Sequence, residues 1–325
     1  MKIIIYRPSK DEQRNYEHFA RSYHLDIQVI PEPLTLNTAH FAKGVLGISI
    51  PGGEGHIDSC LLEAIANQGV KVIATRSIGY NHIDIAYAKK LGLKVCFSDY
   101  PPNAVSEYTV MLILMTLRHA KETLKRIQEQ NYKVADLQGK ELKDLTVGVL
   151  GTGNIGGAVI QNLTGFGCKI LATNKTTKQH LLKFVDYVSF EELLARSDII
   201  TLHLPLNSET YHLIGKNEIA KMKDDVILIN CSRGELVDTD ALIEGIKSEK
   251  IAALGLDVLE SEDIFFKQQE ADITEKNNQL IQCPNVIVTP HNAYHTDVAI
   301  SNIVKSSLDG LTALIKGEPW KNEIN

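Results

Sequence analysis

Along nearly its whole length this chain alternates short apolar runs of strand length with amphipathic segments long enough to be helices. A strand covered on both faces reads as a continuous apolar run, and two parallel strands need a long crossover, usually a helix. The alternation therefore predicts parallel α/β sheets with helices on both faces. In the first part of the chain, strands are expected at Lys2–Tyr6, Ile27–Ile30, Gly47–Ile50, Val70–Thr75 and Lys94–Phe97, forming one small doubly wound domain. The stretch "YPPNAVSEYTVMLILMTLRHAKETLKRIQEQ" then opens on a proline pair, a helix-starting signal. It continues as one long helix with an apolar first half, which places a boundary near Tyr100. Strands follow at Val147–Leu150, Lys169–Thr173, Ile199–Leu204, Val226–Asn230, Ala253–Val258 and Val286–Thr289, a second and larger doubly wound sheet. The last helical segment, Thr296 to Lys316, is expected to cross back onto the first domain. The organisation expected is a discontinuous domain, residues 1–99 and 296–325, with residues 100–295 inserted in it.

Composition narrows the function classes. A hydrophobic content of 44% suffices for two cores, and a net charge of -6 argues against a nucleic-acid partner. The apolar start of "MKIIIYRP" ends at Arg7 and Pro8, too soon for a secretory segment, and no stretch approaches membrane-spanning length. A cytoplasmic location and no membrane partner are expected. The cysteines, Cys60, Cys96, Cys168, Cys231 and Cys283, are scattered without a CxxC pair, so reduced and mostly buried thiols are expected, and no structural metal.

The first chemical signal is "VGVLGTGNIGGAV", Val147 to Val159, a strand running through glycines into a helix. Gly151, Gly153 and Gly156 have the GxGxxG spacing, in which the glycines serve a tight turn, close approach of a pyrophosphate and close packing of helix on strand. The helix N-terminus then faces the phosphates. A bare GxGxxG is weak, but this one is flanked by a valine-rich strand and a helical pattern, which favours a dinucleotide. Methyltransferases use similar turns, so hydride transfer needs separate evidence. About 20 residues further on, an NAD site ends its second strand in Asp or Glu for the ribose hydroxyls; here "ILATNKTTK" offers Asn174. Its neutral side chain would not repel the 2′-phosphate of NADP, and Lys175, Thr176, Thr177 and Lys178 supply cations and hydroxyls suited to it. NADP is thus the preferred cofactor, with NAD possible. The alternative is a solvated turn with Asn174 as a weaker ribose ligand and dual specificity.

The second signal lies where three later strands end. Ligands of open α/β sheets bind beyond the carboxyl ends of the strands. The polar residues after "VILIN", "AALGLDV" and "VIVT" are "CSRG", "LESED" and "PHNAYHT". Arg233, Glu262 and His291 are expected to converge there, although each alone could be a loop cation, a surface acid or a capping histidine.

Together, "VGVLGTGNIG", "LHLPLNSETYHLI", "LINCSRGELVDTDAL", "LGLDVLESED" and "NVIVTPHNAYHT" resemble the D-2-hydroxyacid dehydrogenase family, essentially from end to end. The resemblance implies a Rossmann nucleotide-binding domain inserted in a flavodoxin-like substrate domain, and a homodimer formed through the nucleotide domain. It makes Arg233, Glu262 and His291 catalytic; Glu260 also lies in "LESED", but the family spacing selects the second acid. Within the family the chain looks closest to D-lactate dehydrogenases of the vancomycin-resistance type. This rests on "ATRSIGYNHID", "DVLESEDIFF" and the long segment between Glu262 and His291, while "PGGEG", Pro51 to Gly55, departs from the pattern.

The expected chemistry is reduction of pyruvate to D-lactate. Arg233 would hold the substrate carboxylate and polarise the ketone. His291 would donate the proton, with Glu262 fixing its tautomer and favouring its charged form. The amides of Ile78 and Gly79 resemble the family's carboxylate binders, and Tyr100 and Tyr294 are pocket walls or packing residues. The expected cofactor-binding set is Gly151, Gly153, Asn154, Ile155, Gly156, Asn174, Lys175, Thr176, His203, Pro205, Cys231, Ser232 and Asp257, the last also tuning the histidine. Rival readings are a reductase of bulkier 2-oxo acids and a cofactor-sensing binding protein like the family's corepressors.

Overall fold

Ile3, Ile4, Ile5 and Tyr6 are all inaccessible to solvent. Neighbouring side chains on a strand point to opposite faces, so this strand, β1 (Lys2–Tyr6), needs cover on both sides. The computed structural model describes residues 1–53, 55–262 and 274–325 and divides into two units, Met1–Pro101 with His295–Asn325, and Pro102–Tyr294. In the first unit, β1, β2 (Asp26–Ile30), β3 (Gly47–Pro51), β4 (Val72–Arg76) and β5 (Lys94–Phe97) form a parallel sheet in the order β2-β1-β3-β4-β5. This is the flavodoxin-like order. Ile4, Tyr6, Ile48, Ile73 and Val95 belong to one core with Leu62 and Ile65 of helix Ser59–Asn67. Ile3, Ile5, Val72 and Ala74 belong to another with Val304, Leu308, Leu311 and Leu314 of helix Asp297–Ile315. Contrary to the expectation that no segment reaches membrane-spanning size, this 19-residue helix does so by length and composition. Its apolar residues are nevertheless spent on the sheet. Truncating Leu308 to alanine would cost about 2–5 kcal/mol, the usual range for a buried leucine.

The second unit holds a seven-stranded parallel sheet: β6 (Thr146–Leu150), β7 (Lys169–Thr173), β8 (Asp186–Tyr187), β9 (Ile199–Leu202), β10 (Val226–Asn230), β11 (Ile251–Leu256) and β12 (Val286–Val288). Their order, β12-β11-β10-β9-β6-β7-β8, is the Rossmann order with one strand added. Strand order reverses between β6 and β9, and the crevice at such a switch point is where these sheets bind ligands. Strand β8 was not anticipated, being two residues long at the sheet edge. Strand β9 ends at Leu202, two residues short of the expected Leu204, just ahead of Pro205.

The single long helix expected after Tyr100 is two helices, Asn103–Leu117 and Ala120–Gln128. Between them His119 turns left-handed, with φ of 49°. The amide of Lys140 donates to the Leu117 carbonyl (3.2 Å) and ends the first helix. Lys121 Nζ donates to the carbonyls of Ile281, Cys283 and Val286 (2.6, 2.8 and 2.8 Å) and fixes the start of the second. The first helix is apolar over most of its surface and packs on β10 and β11. The second buries no residue and exposes Leu124 and Ile127. Residues 263–273, the first part of the long segment between Glu262 and His291 and the end of "DVLESEDIFF", and Glu54 of "PGGEG" lie outside the described residues.

Candidate active site

The glycines after β6 divide their tasks as steric necessity dictates. Gly151 has φ of 92°, in the left-handed region, and a Cβ there would lie 2.4 Å from the His203 carbonyl oxygen. A Cβ on Gly156 would lie 2.0 Å from the Gly151 carbonyl, so the helix can approach the turn only without a side chain. Gly153 is different: a Cβ there would meet nothing within 4 Å. It is the N-cap of helix Asn154–Thr164, and the open space before that helix suits a pyrophosphate facing free amides. Asn154 is exposed and Ile155 half-buried in the first helical turn.

Asn174, just beyond β7, is tied into the same loop. Its side-chain oxygen accepts from the Thr152 amide (3.1 Å), and its side-chain amide donates to the Thr176 carbonyl (2.8 Å). Tyr187 on β8 completes this edge, donating to Thr152 Oγ1 (3.0 Å) and accepting from the Lys178 amide (3.2 Å). Lys175 is exposed and forms an ion pair with Glu209.

Arg233, Glu262 and His291 follow β10, β11 and β12, three adjacent parallel strands. Asn230 fastens the first turn, accepting from the Ser232 amide (3.0 Å) and donating to the Arg233 carbonyl (2.7 Å). Among the described residues the Arg233 guanidinium makes a single hydrogen bond, from Nη1 to the Ser232 carbonyl (2.6 Å). The rest of its donor fork is available to an anion. His291 Nδ1 and Glu262 Oε1 form a very short pair, and Glu262 Oε2 accepts from the Leu259 amide (3.0 Å). Because Nδ1 is committed to the carboxylate, Nε2 is the nitrogen left for chemistry. His291 itself sits at φ of 52°, a region sparsely used outside glycine.

Asp257 explains how that conformation is held. It is fully buried, and its Oδ1 accepts from Thr289 Oγ1 (2.5 Å) and the Asn292 amide (3.1 Å), its Oδ2 from the Ala293 amide (2.9 Å). Burial pushes its carboxyl above the usual range against these hydrogen bonds. Tyr108, from helix Asn103–Leu117, adds a bond to Asn292 Oδ1 (2.8 Å).

A family model described as "D-isomer specific 2-hydroxyacid dehydrogenase, NAD binding domain" matches residues 110–293. The chain is 42% identical over 319 residues to the aromatic 2-oxoacid reductase of Clostridium sporogenes (strain ATCC 15579), covering 96% of this chain and 95% of the relative. It is 40% identical over 314 residues to the D-specific alpha-keto acid dehydrogenase of Enterococcus faecalis, covering 95% of each. The chain belongs to the D-isomer-specific 2-hydroxyacid dehydrogenase family. Among solved structures, a D-lactate dehydrogenase with NAD+ from Lactobacillus jensenii superposes with a TM-score of 0.87 at 34% identity, over 100% of both chains.

An oxidoreductase of this family needs a nicotinamide cofactor, and the residues after β6 fit one: the open space at Gly153 and the helix start behind it have room and donors for a pyrophosphate. A second histidine lies close by. His203 follows β9, its Nε2 is 3.0 Å from Thr201 Oγ1, and its enclosed Nδ1 has no partner among the described residues. Burial drives its pKa down to about 3, so it is neutral at physiological pH and cannot be the proton donor. That leaves His291. Pro205 is exposed, its carbonyl accepting from Thr210 Oγ1 (2.6 Å). Cys231 is buried with its thiol pushed up to about 12, and Ser232 Oγ donates to the Leu202 carbonyl (2.8 Å). The ring of Tyr294 stands edge-on to His291 at 6.5 Å.

The remaining expected substrate ligands belong to the other unit. Ser77 Oγ donates to the Gly79 carbonyl (2.6 Å) and is 3.0 Å from Thr75 Oγ1, which shapes the turn carrying Ile78 and Gly79. Ile78 is exposed and Tyr100 half-buried. Sequence reasoning overlooked Tyr187, Thr152 and Tyr108, none of which stands in a recognisable motif. It also overlooked Gly234, although "CSRG" displayed it beside Arg233.

Proposed function

We propose that this chain reduces pyruvate to D-lactate, using NADPH in preference to NADH. The observation that carries the reading is the placement of Arg233, Glu262 and His291 at the ends of three adjacent strands, with His291 Nδ1 held by Glu262. The glycine turn after β6 and the helix start behind Gly153 would hold a reduced nicotinamide dinucleotide, which would supply the hydride for the substrate's C2. The Arg233 fork binds the substrate carboxylate and polarises the ketone oxygen as charge grows on it. His291 delivers the proton to that oxygen from Nε2, and Glu262, paired with Nδ1, fixes the ring's orientation. For Ile78, Gly79, Tyr100 and Tyr294 the role in substrate binding is carried by family resemblance. Asp257 acts in this reading through the turn that aims His291.

The preference for NADPH rests on Asn174, Lys175 and Thr176. The absence of a carboxylate at 174 removes the like-charge repulsion of a 2′-phosphate. Lys175 can turn to that phosphate by leaving Glu209, since an exposed pair of this kind is weakly held. A homodimer is proposed through the nucleotide-binding unit, whose helix Ala120–Gln128 presents Leu124 and Ile127 to solvent, followed by the exposed Tyr132 and Val134. A second reading, reduction of bulkier 2-oxo acids, is favoured by the name of the Clostridium sporogenes relative. Steady-state kinetics with pyruvate, phenylpyruvate and 4-methyl-2-oxopentanoate, each with NADH and NADPH, decide between the two. Higher kcat/KM on pyruvate with NADPH is the expected result; a clear preference for phenylpyruvate favours the second reading, and no turnover on any of them refutes both.

A further inference from the structure

Glu260 stands two residues from Glu262 and faces away from His291 into a separate set of partners. Its Oε1 accepts from His212 Nε2 (2.7 Å) and its Oε2 from Thr239 Oγ1 (2.7 Å), the hydroxyl at the start of helix Thr239–Lys247. Its own carbonyl accepts from Asn277 Nδ2 (2.9 Å). Burial opposes the charge on Glu260, but the hydrogen bonds from Thr239 and His212 outweigh it and hold the carboxyl below its usual range. The group is therefore a full acceptor at neutral pH. Among the described residues, Lys276 interacts electrostatically with Glu260, Asp238 and Asp240 surround Lys276 in turn, and Glu235 faces the neighbouring Ser261 amide.

The turn between the two acids is stiff. Ser261 has φ of 60°, and its amide reaches Glu235 Oε1 (3.4 Å). The Glu262 amide donates to the Leu259 carbonyl (3.2 Å) while the Leu259 amide donates to Glu262 Oε2 (3.0 Å), closing the turn on itself. The backbone of this turn also lies against Gly234, the residue after Arg233: a Cβ on Gly234 would be 2.1 Å from the Leu259 carbonyl carbon and 2.3 Å from the Glu260 nitrogen. Glu235, one residue further, accepts from the His212 amide through its carbonyl (2.8 Å). The Arg233 turn, His212 and the Glu262 turn are thus fastened to one another, through Glu235 and the close approach at Gly234, and the Glu260 carboxylate ties the last turn to His212 and Thr239.

We propose that Glu260 is a positioning residue for the reaction: clamped by His212 and Thr239, it sets the turn Leu259–Glu262 so that Glu262 meets His291 Nδ1. The proposal rests on the catalytic reading of Glu262 and His291 given above. Glu260 touches neither substrate nor cofactor in this account and acts only through Glu262. Its loss releases the turn while leaving the glycine loop after β6 untouched.

The test uses the full-length enzyme with pyruvate and phenylpyruvate, in NADH and in NADPH, across the pH range where the wild type stays folded. Glu260→Ala is expected to lower kcat on the order of ten- to a hundredfold, the scale of a small misplacement of a catalytic group, with a much smaller change in cofactor KM. The upper limb of the pH profile, above which reduction fails, is expected to move down in Glu260→Ala and in Glu262→Gln alike, and Glu260→Gln, which keeps one acceptor oxygen, to recover part of the loss. In the Glu260→Ala/Glu262→Gln double variant the limb moves no further than in Glu262→Gln alone, because the first change acts through the second. Should Glu260→Ala fail to fold, His212→Leu against His212→Gln carries the same comparison. A folded Glu260→Ala enzyme with wild-type kcat and an unmoved limb overturns the proposal, as do additive shifts in the double variant. If Glu262→Gln itself leaves the limb in place, the pairing of Glu262 with His291 is what fails, and the proposal falls with it.

Discussion

Gly234→Ala is a small change at a place where the structure has no room for it. The added Cβ would lie 2.1 Å from the Leu259 carbonyl carbon, 2.2 Å from its oxygen and 2.3 Å from the Glu260 nitrogen. These are backbone atoms, so no side-chain rotation relieves the clash. Ordinary van der Waals separation requires the two chains to part by roughly 1 Å. The parting moves the Arg233 turn away from the turn that carries Glu262. Overpacking of this kind costs about 1–3 kcal/mol of stability. A displacement of that size between catalytic groups costs on the order of a hundredfold in rate. The expected result is a fall of that order in kcat/KM for the 2-oxo acid, with cofactor affinity, measured by quenching of reduced-nicotinamide fluorescence, close to wild type. The glycine loop after β6 is a separate structure, and its ligand has no reason to notice. A folded Gly234→Ala enzyme with wild-type kcat/KM would refute the claim that the two turns must touch for catalysis.

Three further outcomes are expected. Asn174→Asp reverses or sharply reduces the preference for NADPH, and Glu209→Gln, by freeing Lys175, raises kcat/KM with NADPH while leaving NADH nearly unchanged; a wild-type enzyme that prefers NADH defeats this reading. His203 has a folded pKa of about 3 against 6.5 when unburied, so the unfolded chain takes up its proton first; stability tied to neutral His203 is intact above about pH 6.5 and lost as pH falls towards 3, by at most about 5 kcal/mol. His203→Gln therefore flattens the acid side of the melting-temperature profile, and an unchanged profile contradicts the burial argument. Leu124→Glu with Ile127→Glu yields a smaller species by light scattering if this helix joins two copies, and an unaltered mass places the interface elsewhere.

How much of this was legible in the sequence depends on what each feature needs in order to be seen. Parallel sheets announce themselves because a strand buried on both faces must be apolar throughout, and Ile3 to Tyr6 or Val226 to Ile229 could hardly be anything else. The strand orders do not follow from composition, yet each βαβ step and the glycine turn after β6 restrict them heavily. That Arg233, Glu262 and His291 would follow adjacent strands was readable because the carboxyl ends of parallel strands share one edge. The division of the long helix at His119 was hidden, since the carbonyls that fix Lys121 come from Ile281, Cys283 and Val286, far along the chain. Tyr187 escaped notice for a similar reason: its role appears only when β8 brings it to Thr152. Asn174 was identified by position, but its ties to Thr152 and Thr176 depend on the loop's fold.

The segment Leu259 to Glu262 shows how two identical side chains acquire different work. Glu260 and Glu262 are separated by one serine, and in a regular strand they would share a face. Ser261, at a φ of 60°, breaks that relation and sends the carboxylates apart. One is captured by His212 and Thr239, whose donors keep it charged and fixed. Among the described residues the other has one local donor, the Leu259 amide on Oε2, and its Oε1 meets His291. A carboxylate satisfied by stationary partners is an anchor; one that holds a histidine ring nitrogen, as Glu262 holds Nδ1 of His291, decides which way the other nitrogen points. The distinction lies in what each acid touches, and the left-handed turn at Ser261 is the device that lets neighbouring acids touch different things.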